Sequence, residues 1–227
     1  MIDFHSEKLK RLYFFGFLLS AFFIYFTAPI FERIGGASIF MSSSFIFILV
    51  FSLLSLGNNK KVVLSAFLIS IPVLITTVSF LIFGENYLPR ALPLASGAAF
   101  FLYVICLNLT QIFNRKKVNL NIILDAIYVY LLIGIFWGFL YNILDSLVPG
   151  SFAVHNGLID PINKFIYFSM VTLTTLGYGD ITPVTHFAQS LSTLEAMTGQ
   201  VYMTVLVGYL VGERLYQKRV EDENFFN

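Results

Sequence analysis

Six apolar runs, each roughly 20 residues long, leave this chain few folds to choose from. They lie near Leu12 to Phe31, Ser38 to Leu56, Val62 to Phe83, Leu92 to Phe113, Ile122 to Val148 and Phe187 to Val211. A helix rises about 1.5 Å per residue, so each run matches about 30 Å of bilayer hydrocarbon, where backbone polar groups must be satisfied within the chain. Composition agrees. With 57% hydrophobic residues, 12% charged ones and 26 Phe in 227 positions, the chain has more apolar surface than a soluble domain could hide. The expected fold is an all-α membrane protein with six transmembrane helices. A shorter apolar stretch, Pro161 to Thr174, reaches only partway across and reads as a re-entrant helix. The net charge of +1 gives no sign of a nucleic-acid partner, and membrane lipid is the expected surroundings. The single Cys106 allows no disulfide within one chain and reads as a small buried hydrophobe.

Charge placement orients the spans. Lys8, Lys10 and Arg11, then Lys60 and Lys61, then Arg115, Lys116 and Lys117, then Arg214, Lys218 and Arg219 fall on one side of a six-span arrangement. Only Arg33, Arg90 and Lys164 fall on the other. The positive-inside rule then puts both termini in the cytoplasm and the loop from Pro149 to Asp160 outside. The basic N-terminus looks like a secretory signal, but its apolar region is too long and lacks a convincing small-residue cleavage site, so the first helix is expected to be retained.

The stretch Thr174-Thr175-Leu176-Gly177-Tyr178-Gly179-Asp180 carries the chemistry. Stripping water from a monovalent cation takes closely stacked oxygens, which backbone carbonyls supply without full charges. Gly177 and Gly179 can take positive φ at little steric cost, letting successive carbonyls turn toward one axis. Thr175 adds its hydroxyl at the inner end. No cluster of His, Cys and carboxylates has the spacing of a metal site or an activated nucleophile, so no enzyme and no cofactor is expected.

These residues resemble the potassium-channel signature, with Leu176 in place of the usual Val. Residues from Asn119 to Gly212, about the last half of the chain, look like an outer helix, pore helix, filter and inner helix of the tetrameric potassium channels. The resemblance implies potassium as the permeant ion, coordinated by Thr175, Leu176, Gly177, Tyr178 and Gly179. One chain offers one filter loop, so the resemblance and ring closure imply a homotetramer. Asp160-Pro161 suits a helix start, and the far end of that helix would aim its carbonyls at a central cavity. Tyr178 is expected to pack on pore-helix aromatics, with Tyr167 and Phe168 well placed. By family pattern Tyr167 would bond Asp180. Where some bacterial members have a buried glutamate, this chain has Val171. Glu195 is the candidate replacement. It lies five residues before Gln200, about 140° around the helix, and so points behind the pore. Its role is filter support, a helix-packing bond or direct ion contact. Gly199 holds the place of the family's gating hinge, with close helix packing as the alternative, and Gly208 and Gly212 also suit close packing. Thr174, Gln200, Met203 and Val207 are expected to line the cavity.

The resulting division is a four-helix N-terminal bundle over residues 1–118, a pore domain over 119–212 and a short cytoplasmic tail over 213–227. The layout is that of voltage-gated channels, yet the fourth helix has no arginine ladder: Arg90 lies at its outer end and Arg115 beyond its inner end. No acid occurs between Glu32 and Glu85. Voltage yields about 2.3 kcal/mol per elementary charge per 100 mV, so such a bundle has almost nothing to couple with. The tail is expected to be too short for a regulatory domain. His155 and His186 are either titrating groups near the outer mouth or plain surface histidines. A potassium-selective channel that passes ions down their gradient is the leading reading. The alternatives are a poorly selective or non-conducting relative and a potassium uptake transporter. Similarity to small bacterial six-span channels implies a multi-pass protein of the inner (plasma) membrane.

Overall fold

A computed structural model describes residues 12, 14–19, 46–54, 60–83, 91–114, 120–155 and 164–226. In chain order its elements are α1 (Lys60–Phe83), α2 (Ala91–Phe113), α3 (Leu120–Leu147), β1 (Phe152–Val154), α4 (Lys164–Leu173), β2 (Ile181–Pro183) and α5 (His186–Phe226). Residues 14–19 and 46–54 are also helical. Among the described residues, four segments are long and apolar enough to cross a membrane: Lys61–Ser79, Ala91–Phe113, Leu120–Leu147 and His186–Gln217. They coincide with the third to sixth expected spans. The first two spans and the Asp160-Pro161 helix start lie wholly or largely outside the described residues. α4 has 10 residues, so at about 1.5 Å each it reaches only about half the hydrocarbon thickness.

Lipid is as apolar as leucine, so these helices associate through close packing and hydrogen bonds. α1 packs on α2, and α2 on α3. Hydroxyls join the first pair: Ser65 Oγ meets Tyr103 Oη at 2.7 Å, and Thr76 Oγ1 meets Ser96 Oγ at 3.5 Å. Between α2 and α3, the rings of Phe101 and Phe139 lie 5.6 Å apart. α3 is the central element, touching α2 on one side and both α4 and α5 on the other. Its small residues let α4 come close. A Cβ added at Gly138 would lie 2.9 Å from the backbone Cα of Ile166.

An aromatic cluster ties the end of α3 to β1 and α4. Tyr141 contacts Trp137, Phe152 and Phe168 at centroid distances of 6.1, 5.4 and 5.0 Å, and Phe152 contacts Phe165 at 5.0 Å and Phe168 at 5.4 Å. Such pairs are each worth about 0.5–1.5 kcal/mol beyond burial.

Two expectations need correction. The chain is not purely helical: β1 and β2 form an antiparallel ribbon pairing Phe152 with Pro183, Ala153 with Thr182 and Val154 with Ile181. Three-residue strands are too short to show an alternating pattern, and their partners are distant in sequence. Cys106 is exposed on α2, on a face whose apolar character suits lipid.

The α3–α4 seam gives a direct test. Gly138→Ala forces backbone apart and is expected to destabilise the fold by about 1–3 kcal/mol, read as a lowered thermal midpoint of the detergent-solubilised protein.

Candidate functional site

α4 ends at Leu173, and its terminal carbonyls have no partners within the helix. The following loop supplies them. Thr174 N–H donates to Met170 O at 3.1 Å, Thr175 N–H to Thr172 O at 3.0 Å, and Leu176 and Gly177 N–H both to Val171 O at 2.9 and 3.2 Å. The loop's donors are thereby turned back toward α4. Among the described residues no backbone N–H donates to the carbonyls of residues 174–179, and all six residues are exposed.

Backbone handedness alternates along this loop. Thr175, Gly177 and Gly179 have φ of 59°, 58° and 75°, and the intervening Leu176 and Tyr178 do not share the positive sign. An extended strand would point successive carbonyls to opposite sides, whereas alternation of left- and right-handed residues directs them to one side. Thr175 adopts this conformation although a β-branched residue is strained there, at a cost of about 1–2 kcal/mol. No atom lies within 4 Å of a Cβ built at Gly177 or Gly179, so conformation and not space calls for glycine.

Asp180 fixes the far end of the loop. Its carboxylate accepts from Tyr167 Oη at 2.6 Å and from Ile181 N–H at 3.0 Å, while its carbonyl accepts from His155 N–H at 2.8 Å. Val184 N–H donates to Ser151 O at 2.8 Å, so the β1–β2 ribbon clamps the loop exit to the segment after α3. His155 Nε2 lies 2.9 Å from Thr182 Oγ1, on an exposed part of the same ribbon. His186 opens α5 and is exposed. The hydrogen bond to Asp180, with some burial, pushes the Tyr167 hydroxyl up to about 12.

Phe168 faces away from the loop in the single chain. Its ring is buried between Tyr141 and Phe152, because that face of α4 turns toward α3. Tyr178 is 65% exposed and Leu176 55% exposed in the single chain.

α5 presents a periodic stripe to the rest of the protein. Ala188, Glu195, Gly199 and Leu206 are buried and Tyr202 half-buried, with steps of seven, four, three and four. Glu195 is fully buried and sits against the hydroxyls of Tyr141 on α3 and Ser169 on α4. A Cβ added at Gly199 would lie 2.6 Å from the carbonyl oxygen of Leu173. α5 runs through Gly199 as continuous helix, and the residue serves close approach there. That same carbonyl accepts from Tyr130 Oη at 3.1 Å. Tyr202 Oη donates to Ala126 O at 2.7 Å, and the Tyr130 and Tyr202 rings lie 5.8 Å apart. Gln200, Met203 and Val207 are exposed away from the stripe. Thr174 is exposed too, its hydroxyl donating to Met170 O at 2.7 Å. Among the described residues, Gly208 and Gly212 have nothing within 4 Å of an added Cβ.

The sequence reading did not name Tyr130, Tyr141, Ser169 or Tyr202. Their signal was a hydroxyl inside an apolar run, which needs a partner at membrane depth. Gly199→Ala separates the two readings of that residue by sign. Contact with Leu173 O predicts destabilisation by about 1–3 kcal/mol. A free helical glycine would instead gain up to about 1 kcal/mol. Thermal unfolding in detergent decides between them.

Residues 126–213, from within α3 through β2 to α5, match the family model described as "Ion channel". A relative from Oryza sativa subsp. japonica, "Two pore potassium channel c", is 38% identical over 64 residues. That match covers 28% of this chain and 14% of the relative, so the chain spans only a small part of the relative's length. No solved structure matches the chain. Among the described residues the chain thus has four helices long and apolar enough to cross a membrane, and its residues 126–213 match an ion-channel family.

Proposed function

We propose that this protein is a potassium-selective channel that passes ions down their gradient through a filter of backbone carbonyls. The observation that carries the reading is the alternating left-handed backbone at Thr175, Gly177 and Gly179, on a loop whose carbonyls accept no backbone hydrogen bond. Carbonyls of Thr175, Leu176, Gly177 and Tyr178 replace a potassium ion's water shell, with Gly179 at the outer end and the Thr175 hydroxyl at the inner end. Need for that hydroxyl accounts for a strained threonine where glycine would sit freely.

A carbonyl ladder on one side of a loop binds an ion well only when other ladders face it. Four copies around an axis supply them and also cover Leu176 and Tyr178, which a single chain leaves exposed. Gln200, Met203 and Val207, with Thr174, then line the cavity beneath. Tyr167 and Asp180 hold the outer end, Phe168 holds the back of α4, and Glu195 supports the filter from behind. The proposed organisation is a bundle over residues 1–118 without voltage sensing, a pore domain over 119–212 and a cytoplasmic tail over 213–227. In this reading six spans place both termini in the cytoplasm of a cell whose plasma (inner) membrane holds the tetramer, with lipid as the other partner.

Purified protein in proteoliposomes should carry potassium flux that barium blocks and that exceeds sodium flux. Equal sodium flux would replace this reading with a poorly selective relative, and absence of flux with a non-conducting one. Gly177→Ala and Gly179→Ala should each cost about 1–2 kcal/mol of loop strain per subunit and lower the potassium-to-sodium flux ratio.

Tyr167→Phe should weaken the filter by about 1.5–3 kcal/mol per subunit, the worth of a hydrogen bond to a charged acceptor, and shorten the time for which flux persists. The pH dependence has a definite sign. Tyr167 is an acid held neutral, so its support is complete below its ordinary value of 10.0 and is lost as pH rises toward about 12. Flux in the wild type should fall over that window with a component missing in Tyr167→Phe.

A further inference from the structure

We propose that Glu195 is held as a neutral carboxylic acid and acts as a hydrogen-bond donor, the middle link of a one-way chain that latches α5 to α4 and α3. The proposal deepens the channel reading, on which its consequence for ion flux rests.

The argument is a count of protons. Ser169 Oγ lies 2.7 Å from the carbonyl oxygen of Gly134 and also against Glu195 Oε1. A hydroxyl has one proton, and a backbone carbonyl can only accept. If Ser169 gave its proton to a carboxylate, its oxygen would face the Gly134 carbonyl with no proton between them. In the opposite assignment all three of these contacts are served, while Ser192, the other hydroxyl beside Tyr141, gives its proton to Ala188 O at 2.9 Å. Tyr141 Oη donates to Glu195 Oε2, Glu195 donates from Oε1 to Ser169 Oγ, and Ser169 donates to Gly134 O. Each member donates once, and three helices are joined.

The surroundings agree. Glu195 is fully buried on a helix that crosses the membrane, where an unpaired charge is expensive. From α3 the groups facing it are the Tyr141 hydroxyl and, further along, Tyr130; from α4 it is Ser169. Among the described residues no basic side chain and no second carboxyl faces it from either helix. Tyr141 and Tyr130 are neutral partners, so nothing there offsets a negative charge.

Loss of the proton reverses one link. The carboxylate then claims the Ser169 proton, the Gly134 carbonyl is left facing a lone pair, and the latch loosens. Its support is therefore present at low pH and disappears as pH rises. Glutamine keeps a donor and an acceptor in the same places, while alanine strands both Tyr141 and Ser169.

Infrared difference spectroscopy on the purified full chain tests the proton directly. The wild type should show the carbonyl stretch of a protonated carboxylic acid that Glu195→Gln lacks, and Ser169→Ala should shift that band by removing the acceptor. A wild-type spectrum with only carboxylate bands at this position, or a band indifferent to Ser169→Ala, overturns the proposal. This readout needs no ion movement, so it stands apart from failure of the channel reading. In proteoliposomes, Glu195→Ala should lose about tenfold more potassium flux than Glu195→Gln. Raising pH should reduce wild-type flux through a component missing in Glu195→Gln, and an identical pH profile in the two proteins overturns the latch.

Discussion

Residues 174–179 present a run of carbonyls that, among the described residues, accept no backbone hydrogen bond, and such a group costs several kcal/mol wherever water cannot reach it. Such backbone is tolerated only where it lines water or meets a cation. The rest of the described structure makes sense as the means of holding this run in place. Val171 O takes two N–H groups of the loop and prevents them from pairing with its own carbonyls. Asp180 anchors the exit through its carboxylate and its carbonyl, using α4 on one side and the β1–β2 ribbon on the other. Local strain at Thr175 persists because both ends are fixed.

Behind the loop, precision comes from contacts that allow no slack. Ile166 backbone fits against Gly138, and the last carbonyl of α4 fits against Gly199 while Tyr130 caps it. The aromatic cluster of Trp137, Tyr141, Phe152, Phe165 and Phe168 fills the space between α3, β1 and α4. Neighbouring helices in lipid gain little from hydrophobic association, so glycine contacts and hydroxyl bonds set their positions. Tyr141 belongs to both systems, packing its ring in the cluster and giving its hydroxyl to Glu195.

How much of this was legible in the sequence follows the range of the signal. The last four apolar runs, the short apolar stretch before the loop and the glycine pair are local patterns, and the structure places helices and a turned loop where they fall. The Tyr167–Asp180 contact was legible through the family pattern and not through the residues alone. The β1–β2 ribbon and the Tyr130, Tyr141, Ser169 and Tyr202 contacts join residues far apart, with no periodicity to announce them. That Phe168 packs between Tyr141 and Phe152 was not legible, because its sequence position fixes its helix but not which side α3 occupies. Cys106 was read as buried because an apolar run in lipid need not face protein.

The stripe on α5 limits how that helix can move without disturbing the loop. Turning it by one residue, about 100°, would take Glu195 off both hydroxyls and carry Gly199 away from Leu173 O. A bend at Gly199 would break the Tyr202–Ala126 bond lower on the same face and drag the Tyr130 ring stacked on it. Past Leu206 the polar and glycine contacts stop: Val207 and Gly208 are exposed, nothing lies within 4 Å of a Cβ added at Gly208 or Gly212, and the helix is held by apolar packing, with the Tyr209 ring 5.4 Å from Phe113 and Leu210 against the core. Motion in the lower part of α5 therefore breaks none of the contacts that support the loop, whereas motion above Tyr202 breaks several at once. The polar and glycine contacts that hold α5 to α3 and to the end of α4 are thus confined to its upper part.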